Sequence, residues 1–453
     1  MAQKPKELSG PGVNDEPWEK AFDLVLSPFE EFIYRQSSGS LLLALAALAA
    51  LAFANSPLSD VYFGFLHTPI GMAVGSTGIE KTLHHWINDG LMTVFFFVVG
   101  LELRREFLIG ELANKRNAVL PVLAAAGGMV IPALFFTMIV PSGPAGAGWG
   151  IPMATDIAFA IGVLSLLGDR IPRALLTFMI ALAIVDDLGA VLVIAIFYTE
   201  TIAVGALAAA VAFFLVLLAF RHAGFRRPLP YLLVATLLWF ALMQSGIHAT
   251  LAGIAAALTV PVRPKYDTEL FSRYVHELMD TFDAAAKDNP NVMTNLELRS
   301  ILQTMENGVQ RVQAPLQRLE QQWHIPVAYF IMPAFAFANA GMIIELDSIP
   351  NALAGGLSLA IFAGLVGGKF LGIAGVTLVA VKLGVSRLPS GVNTQQIIGV
   401  SLLGGIGFTM SIFVSELAFL GEEALLAEAK LGVFAASLVA GCLGFLALRA
   451  ATR

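Results

Sequence analysis

Three places in this sequence put ionisable side chains inside long apolar runs. Asp156 lies in Gly150-Ile-Pro-Met-Ala-Thr-Asp-Ile-Ala-Phe-Ala-Ile-Gly162. Asp186 and Asp187 stand side by side in Ile180-Ala-Leu-Ala-Ile-Val-Asp-Asp-Leu-Gly-Ala-Val-Leu-Val193, and Lys369 lies in Gly364-Leu-Val-Gly-Gly-Lys-Phe-Leu-Gly372. A charge at the centre of a bilayer costs about 2.5–3.5 kcal/mol or more, so each needs a compensating role, of which ion or proton transport is the leading one. Neighbours on a helix diverge by about 100°, so Asp186 and Asp187 face different surroundings, one an ion route and the other a separate partner. The plainer readings are a helix cap for Asp156 and a snorkelling amine for Lys369. The depth of all four residues within apolar sequence favours transport.

The elements that must position these groups carry irregularities of their own. Thr155 precedes Asp156 in a short span that begins near Pro152 and contains Gly162, and a matching interruption, Gly404-Gly-Ile-Gly-Phe-Thr-Met410, comes late in the chain. Paired interruptions at corresponding positions of two halves point to a transporter site at the bilayer midplane. They fall in spans four and eleven, each the middle helix of a three-helix group. Two crossed, discontinuous helices would expose partial positive charge at their N-termini and partial negative charge at their C-termini. Asp156 is the expected counter-charge for the first and Lys369 for the second.

Composition sets the solvent. The chain has 453 residues, 57% hydrophobic and 13% charged, with a mean hydropathy of +0.77. Soluble proteins carry about twice that share of charge, so lipid is the main surrounding. Apolar runs of about 20 residues give about twelve transmembrane helices, at 38–56, 88–108, 118–140, 150–168, 172–198, 203–220, 229–244, 246–262, 326–344, 352–381, 394–416 and 426–448. The fold class expected is an all-α membrane protein with inverted repeats. Arg104, Arg105, Lys115 and Arg116, Arg221, Arg226 and Arg227, and Lys382 and Arg387 fall in alternate connections, whereas the opposite loops hold little beyond Lys81 and Lys430. That bias places both termini in the cytoplasm. The net charge of −6 argues against a nucleic-acid partner, and the lone Cys442 excludes an internal disulfide framework or a cysteine metal cluster.

The chain divides into a cytoplasmic tail at 1–37, a first membrane part at 38–262, a polar insertion at 263–325 and a second membrane part at 326–453. Leu41 to Ala54 resembles a signal-peptide core, but the long acidic segment before it makes a retained first helix the better reading. Within 57–87, Thr68 to Lys81 alternates with glycines at turn positions and reads as a periplasmic β-hairpin that forms a homodimer contact or else a tight loop. In the insertion, Leu270 to Ala286 and Leu296 to Val312 show helical periodicity broken by Asn289-Pro290-Asn291, which predicts a helical hairpin.

Other chemistries fit poorly. The Gly364 to Lys369 stretch has the wrong glycine spacing for a phosphate loop, and Phe370 replaces its Ser or Thr. His67, His84 and His85 lack metal-ligand spacing and read as a solvated loop. An intramembrane aspartyl protease needs two carboxyl groups facing each other across a shared proton, which adjacent helical residues cannot supply. A Na⁺-coupled solute carrier and a passive channel remain as alternatives within transport. Glu102, Arg105 and Glu106 have helical i, i+3 and i, i+4 spacing, suited to a local ion-pair network, and His248 at the start of a span suits a structural hydrogen bond or a sensor.

Several motifs together resemble the NhaA-type sodium/proton antiporters, over residues 38 to 449. They are Trp86-Ile-Asn-Asp-Gly-Leu-Met92, Phe95-Phe-Phe-Val-Val-Gly-Leu-Glu-Leu-Arg-Arg-Glu106, Ala154-Thr-Asp-Ile-Ala-Phe-Ala160, Ala181-Leu-Ala-Ile-Val-Asp-Asp-Leu-Gly-Ala190, Ser245-Gly-Ile-His-Ala-Thr-Leu-Ala-Gly253, Phe335-Ala-Phe-Ala-Asn-Ala-Gly341 and Gly404 to Ser411. The resemblance implies electrogenic Na⁺ or Li⁺ exchange for H⁺ across a bacterial inner membrane, with no cofactor. It implies that Asp187 is the principal carrier, that Lys369 pairs with Asp186, and that Thr155 and Asp156 belong to the crossed helices. It further implies a pH-responsive cluster of Glu102, Arg105, Glu106 and Glu320, with His324 nearby. The chain departs from the family at Gln321, where His is frequent, and in its longer insertion.

Overall fold

The computed structural model describes residues 36–74, 77–199, 202–343 and 355–452. The expected tail at 1–37 therefore lies almost wholly outside the described residues. Helices dominate: α1 Gln36–Ala54, α2 Ser59–Leu66, α3 Leu83–Leu108, α4 Lys115–Ile139, α5 Ile157–Leu166, α6 Arg173–Phe197, α7 Val204–His222, α8 Pro228–Ser245 and α9 Leu251–Thr259. After the insertion helices α10 Thr268–Asp288, α11 Leu296–Val312 and α12 Pro315–Pro326 come α13 Met332–Ala340, α14 Gly356–Lys382, α15 Thr394–Leu403, α16 Phe408–Ala418 and α17 Glu423–Ala451.

Among the described residues, seven helices are long and apolar enough to cross a membrane, and three bent pairs raise the number to as many as ten. Two of the pairs are the expected interruptions. A 3₁₀ segment, Pro144–Met153, is bent by 41° from α5, and α15 is bent by 42° from α16. The span expected at 246–262 appears as the shorter α9, and within that expected at 326–344 a π-helical stretch, Val327–Ile331, joins α12 to α13. Side chains such as Met138 and Leu438, 81% and 71% exposed, point outward where a soluble protein would carry charge.

The hairpin is present. β1 Pro69–Val74 pairs antiparallel with β2 Thr77–Thr82, in register from Pro69 opposite Thr82 to Val74 opposite Thr77. Its turn, residues 75 and 76, lies outside the described residues. The strands do not extend to His84 and His85, which begin α3 instead.

In the insertion, α10 and α11 form an antiparallel pair around a small core of Ala285, Leu298 and Ile301. Each starts at a side-chain cap, Asp267 on Leu270 N at 2.7 Å and Asn295 on Leu298 N at 3.2 Å. Such caps satisfy amide groups that the first turn leaves without partners.

The main core draws on most of the membrane helices, α4, α6 and α14 among them. Small residues bring α4 and α14 close: a Cβ at Gly368 would sit 2.7 Å from Pro132 Cα. Two π-helical stretches, Ala363–Gly368 and Leu371–Gly375, flank Lys369 and set its direction. Single π turns of this kind recur at functional positions of helices.

Candidate functional site

Asp186 and Asp187 lie in mid-α6, and every flanking turn is helical. Both are buried, yet they face apart as a 100° step requires. Lys369, fully buried on α14, donates from Nζ to Asp186 Oδ2 at 2.6 Å. The amine thus pairs with Asp186. A charge-assisted bond this short satisfies one carboxylate oxygen. Among the described residues, Asp187 Oδ1 is buried without a hydrogen-bond partner.

Asp187 does not share the lysine. It lines a cavity of about 710 Å³ together with Asp156, Thr409, Glu102, Glu320 and His324. The cavity runs between α3, α12 and α13 on one wall and α5, α6 and α16 on the other. Asp186 is not among its described lining residues.

Asp156 and Thr155 sit where the 3₁₀ segment ends and α5 begins, and this break is bonded to the break between α15 and α16. The Asp156 amide donates to Ile406 O at 2.6 Å, and the Thr155 hydroxyl donates to Gly404 O at 2.9 Å. Asp156 Oδ1 accepts from Phe159 N at 3.1 Å, capping α5. Its Oδ2 accepts from Thr409 N at 2.9 Å and from the Thr409 hydroxyl, capping α16. One carboxylate therefore closes two helix N-termini, where exposed amides and the helix dipole both favour negative charge. The cap and counter-charge readings of Asp156 describe one and the same arrangement.

At the mouth of the cavity, Arg105 joins two carboxylates, Nε to Glu320 Oε1 at 3.3 Å and Nη2 to Glu106 Oε1 at 3.2 Å. Glu102, Gln321 and His324 line the cavity beside them. Burial raises the Glu320 carboxyl above the usual carboxylate range, Arg105 opposes this and Glu106 adds to it. Burial also lowers the His324 imidazole below its usual value. His248 stands apart from this group, between α8 and α9, with its ring 6.3 Å from that of Phe413.

Thr409 stands in the Gly404 to Met410 interruption, where its residue type alone implies no role. Its signal is a hydroxyl residue two positions after Gly407 at the restart of a broken helix, but its partner is 253 residues away. Two positions differ from their sequence reading. Lys430, expected in an outer loop, is buried on α17 with Nζ 2.7 Å from Glu416 Oε1. His84, expected in a solvated loop, is part-buried, with Nε2 2.9 Å from Asn339 Oδ1. In both cases short polar stretches concealed a helix start.

Long apolar helices, paired helix breaks and a cavity ending on buried carboxylates define a multi-pass membrane protein with an ion-handling centre. The family model described as Na+/H+ antiporter 1 matches residues 30–448. The chain belongs to that family. Na(+)/H(+) antiporter NhaA 1 of Saccharophagus degradans is 50% identical over 429 residues, covering 95% of this chain and 92% of the relative. Na(+)/H(+) antiporter NhaA of Sulfurimonas denitrificans is 48% identical over 433 residues, covering 96% and 97%. The protein of the same name in Acidithiobacillus ferrooxidans is 48% identical over 426 residues, covering 93% and 97%.

Proposed function

We propose that this chain exchanges Na⁺ or Li⁺ for H⁺ across a bacterial inner membrane by alternating access, electrogenically and under pH control. The observation that carries the reading is Asp187, a buried carboxylate that lines the cavity while the lysine is held by its neighbour. A carboxylate in apolar surroundings retains a proton more readily than in water, and a nearby cation favours its charged form. Oxygen ligands suit hard alkali ions, so H⁺ and Na⁺ compete for the same atoms, and that competition couples the two fluxes. More protons than sodium ions per cycle would let the membrane potential drive extrusion, at about 2.3 kcal/mol per charge per 100 mV.

In this reading Asp186 and Asp187 hold the ion, Thr155 and Asp156 fix the helix breaks around it, and Lys369 balances Asp186. Glu102, Arg105, Glu106, Glu320, His324 and His248 adjust access with pH. The fold is read as twelve spans in inverted repeats with both termini cytoplasmic, and the β-hairpin as the contact of a homodimer. The relatives are named as antiporters, which favours this transport class over an enzyme. Proteoliposomes loaded with ²²Na⁺ test it: the parent exchanges Na⁺ against an imposed pH gradient, and Asp187→Asn does not. Retained Na⁺-driven collapse of the gradient in that variant refutes Asp187 as the carrier.

A further inference from the structure

The cavity reaches Asp187 past Glu102, Arg105 and Glu320, and the residues that lie beyond Thr409 on α16 have no part in the reading above. Beyond Thr409, α16 carries Phe413 and then Glu416, about 10 Å further along the helix. Phe413 is fully buried, with ring centroids 5.6 Å from Phe96 on α3 and 6.1 Å from Phe335 on α13. These rings form an apolar cluster one helical turn beyond Thr409, which lines the cavity.

Behind this cluster lies a polar layer. Asn339 on α13 donates from Nδ2 to Asn88 Oδ1 at 2.7 Å, and Asn88 donates back to Asn339 Oδ1 at 3.1 Å. His84 Nε2 is 2.9 Å from the same Asn339 oxygen and 4.0 Å from Glu416 Oε1, which Lys430 Nζ holds at 2.7 Å. His84, Asn88 and Asn339 thus belong to the helices whose other halves form one wall of the cavity, α3 and α13. Glu416 belongs to α16, which contributes Thr409 and Met410 to the opposite wall. The layer joins the two walls where the cluster ends. Lone polar groups at this depth would be costly, and pairing removes that cost only while the walls stay together.

We infer that His84, Asn88 and Asn339 on one wall, with Glu416 and Lys430 on the other, form a latch that holds the far side of the site closed and parts when the site turns outward. This rests on the exchange reading, because only alternating access requires the same helices to separate at that end. In the latch, Lys430 neutralises and orients Glu416, and the Asn88–Asn339 pair fixes the rim on which His84 stands. Two conformations then differ in which end of one seam is bonded, an arrangement with two discrete states.

The test uses the full chain with Cys442→Ser, so that introduced thiols are the only ones. With His84→Cys and Glu416→Cys joined by a short, reductant-cleavable bis-methanethiosulfonate, proteoliposome exchange falls at least about tenfold and returns on reduction. Full exchange in completely cross-linked protein overturns the latch. The second measurement needs no cross-link: Phe413→Cys is labelled by a membrane-impermeant thiol reagent added on the face away from the cavity mouth. Adding Glu416→Gln raises that labelling rate about tenfold, because the closed state loses its cross-wall charge. An unchanged rate makes the layer a static brace and overturns the proposal. Absence of exchange in the Cys442→Ser parent would count against the antiport reading alone, since the labelling comparison does not depend on turnover.

Discussion

The ion pair between Lys369 and Asp186 gives the sharpest quantitative expectation. Both side chains are fully buried, and the amine meets the carboxylate at 2.6 Å. Lys369→Met keeps the length and the apolar stem but leaves Asp186 without its counter-charge. Removing one member of a buried pair costs about 3–5 kcal/mol, because the survivor is stranded as a charge or forced to hold a proton. At about 1.4 kcal/mol per tenfold, that is two to nearly four powers of ten in the unfolding equilibrium. Asp186→Asn alone strands the lysine and costs a similar amount. The double variant Asp186→Asn/Lys369→Met has no stranded charge and recovers most of the loss, so the coupling energy exceeds about 2 kcal/mol. Unfolding of the purified protein in mixed micelles by a denaturing detergent measures all four corners of this cycle. If the double variant is as unstable as the sum of the two single changes, the pair does not couple as described and the reasoning fails.

Two other expectations follow from the mouth of the cavity and from the helix contacts. Because Glu320 has its carboxyl raised in the folded protein, the folded state binds more protons than the unfolded one from the ordinary carboxylate range up to that raised value. Stability relative to Glu320→Gln therefore declines as pH rises through that window, and melting temperatures of both proteins across pH 4–8 will show whether the parent falls relative to the variant as pH rises. The same substitution removes the negative charge that faces Arg105, and the pH profile of exchange shifts with it; an unchanged profile takes Glu320 out of the pH response. Gly368→Ala drives a methyl group onto the Pro132 backbone, with a loss of about 1–3 kcal/mol and slower exchange as Lys369 is pushed aside. An unaltered melting temperature would show that α4 and α14 are free to give way.

The deep charges were legible because hydropathy contrast alone marks Asp156, Asp186, Asp187 and Lys369, and helical geometry alone separates the two neighbouring aspartates. Proline and glycine likewise announced both helix breaks. The union of those breaks was not legible, since the Asp156 and Thr409 partnership spans 253 residues and leaves no local pattern. The insertion's helices announced themselves through periodicity and an Asn-Pro-Asn stop, and the hairpin through alternation. The number of spans was harder to read, because α9 is shorter than its apolar run and α13 continues from the polar insertion helix α12 through a π-helical stretch. His84 and Lys430 were misplaced for a related reason: each is a polar residue near the start of a helix, and composition there resembles a loop.

The carboxylate of Asp156 fastens the starts of two helices that enter from distant parts of the chain. Anything that draws its oxygens away loosens both fastenings together. A change of charge on this one side chain is therefore felt at both helix starts at once.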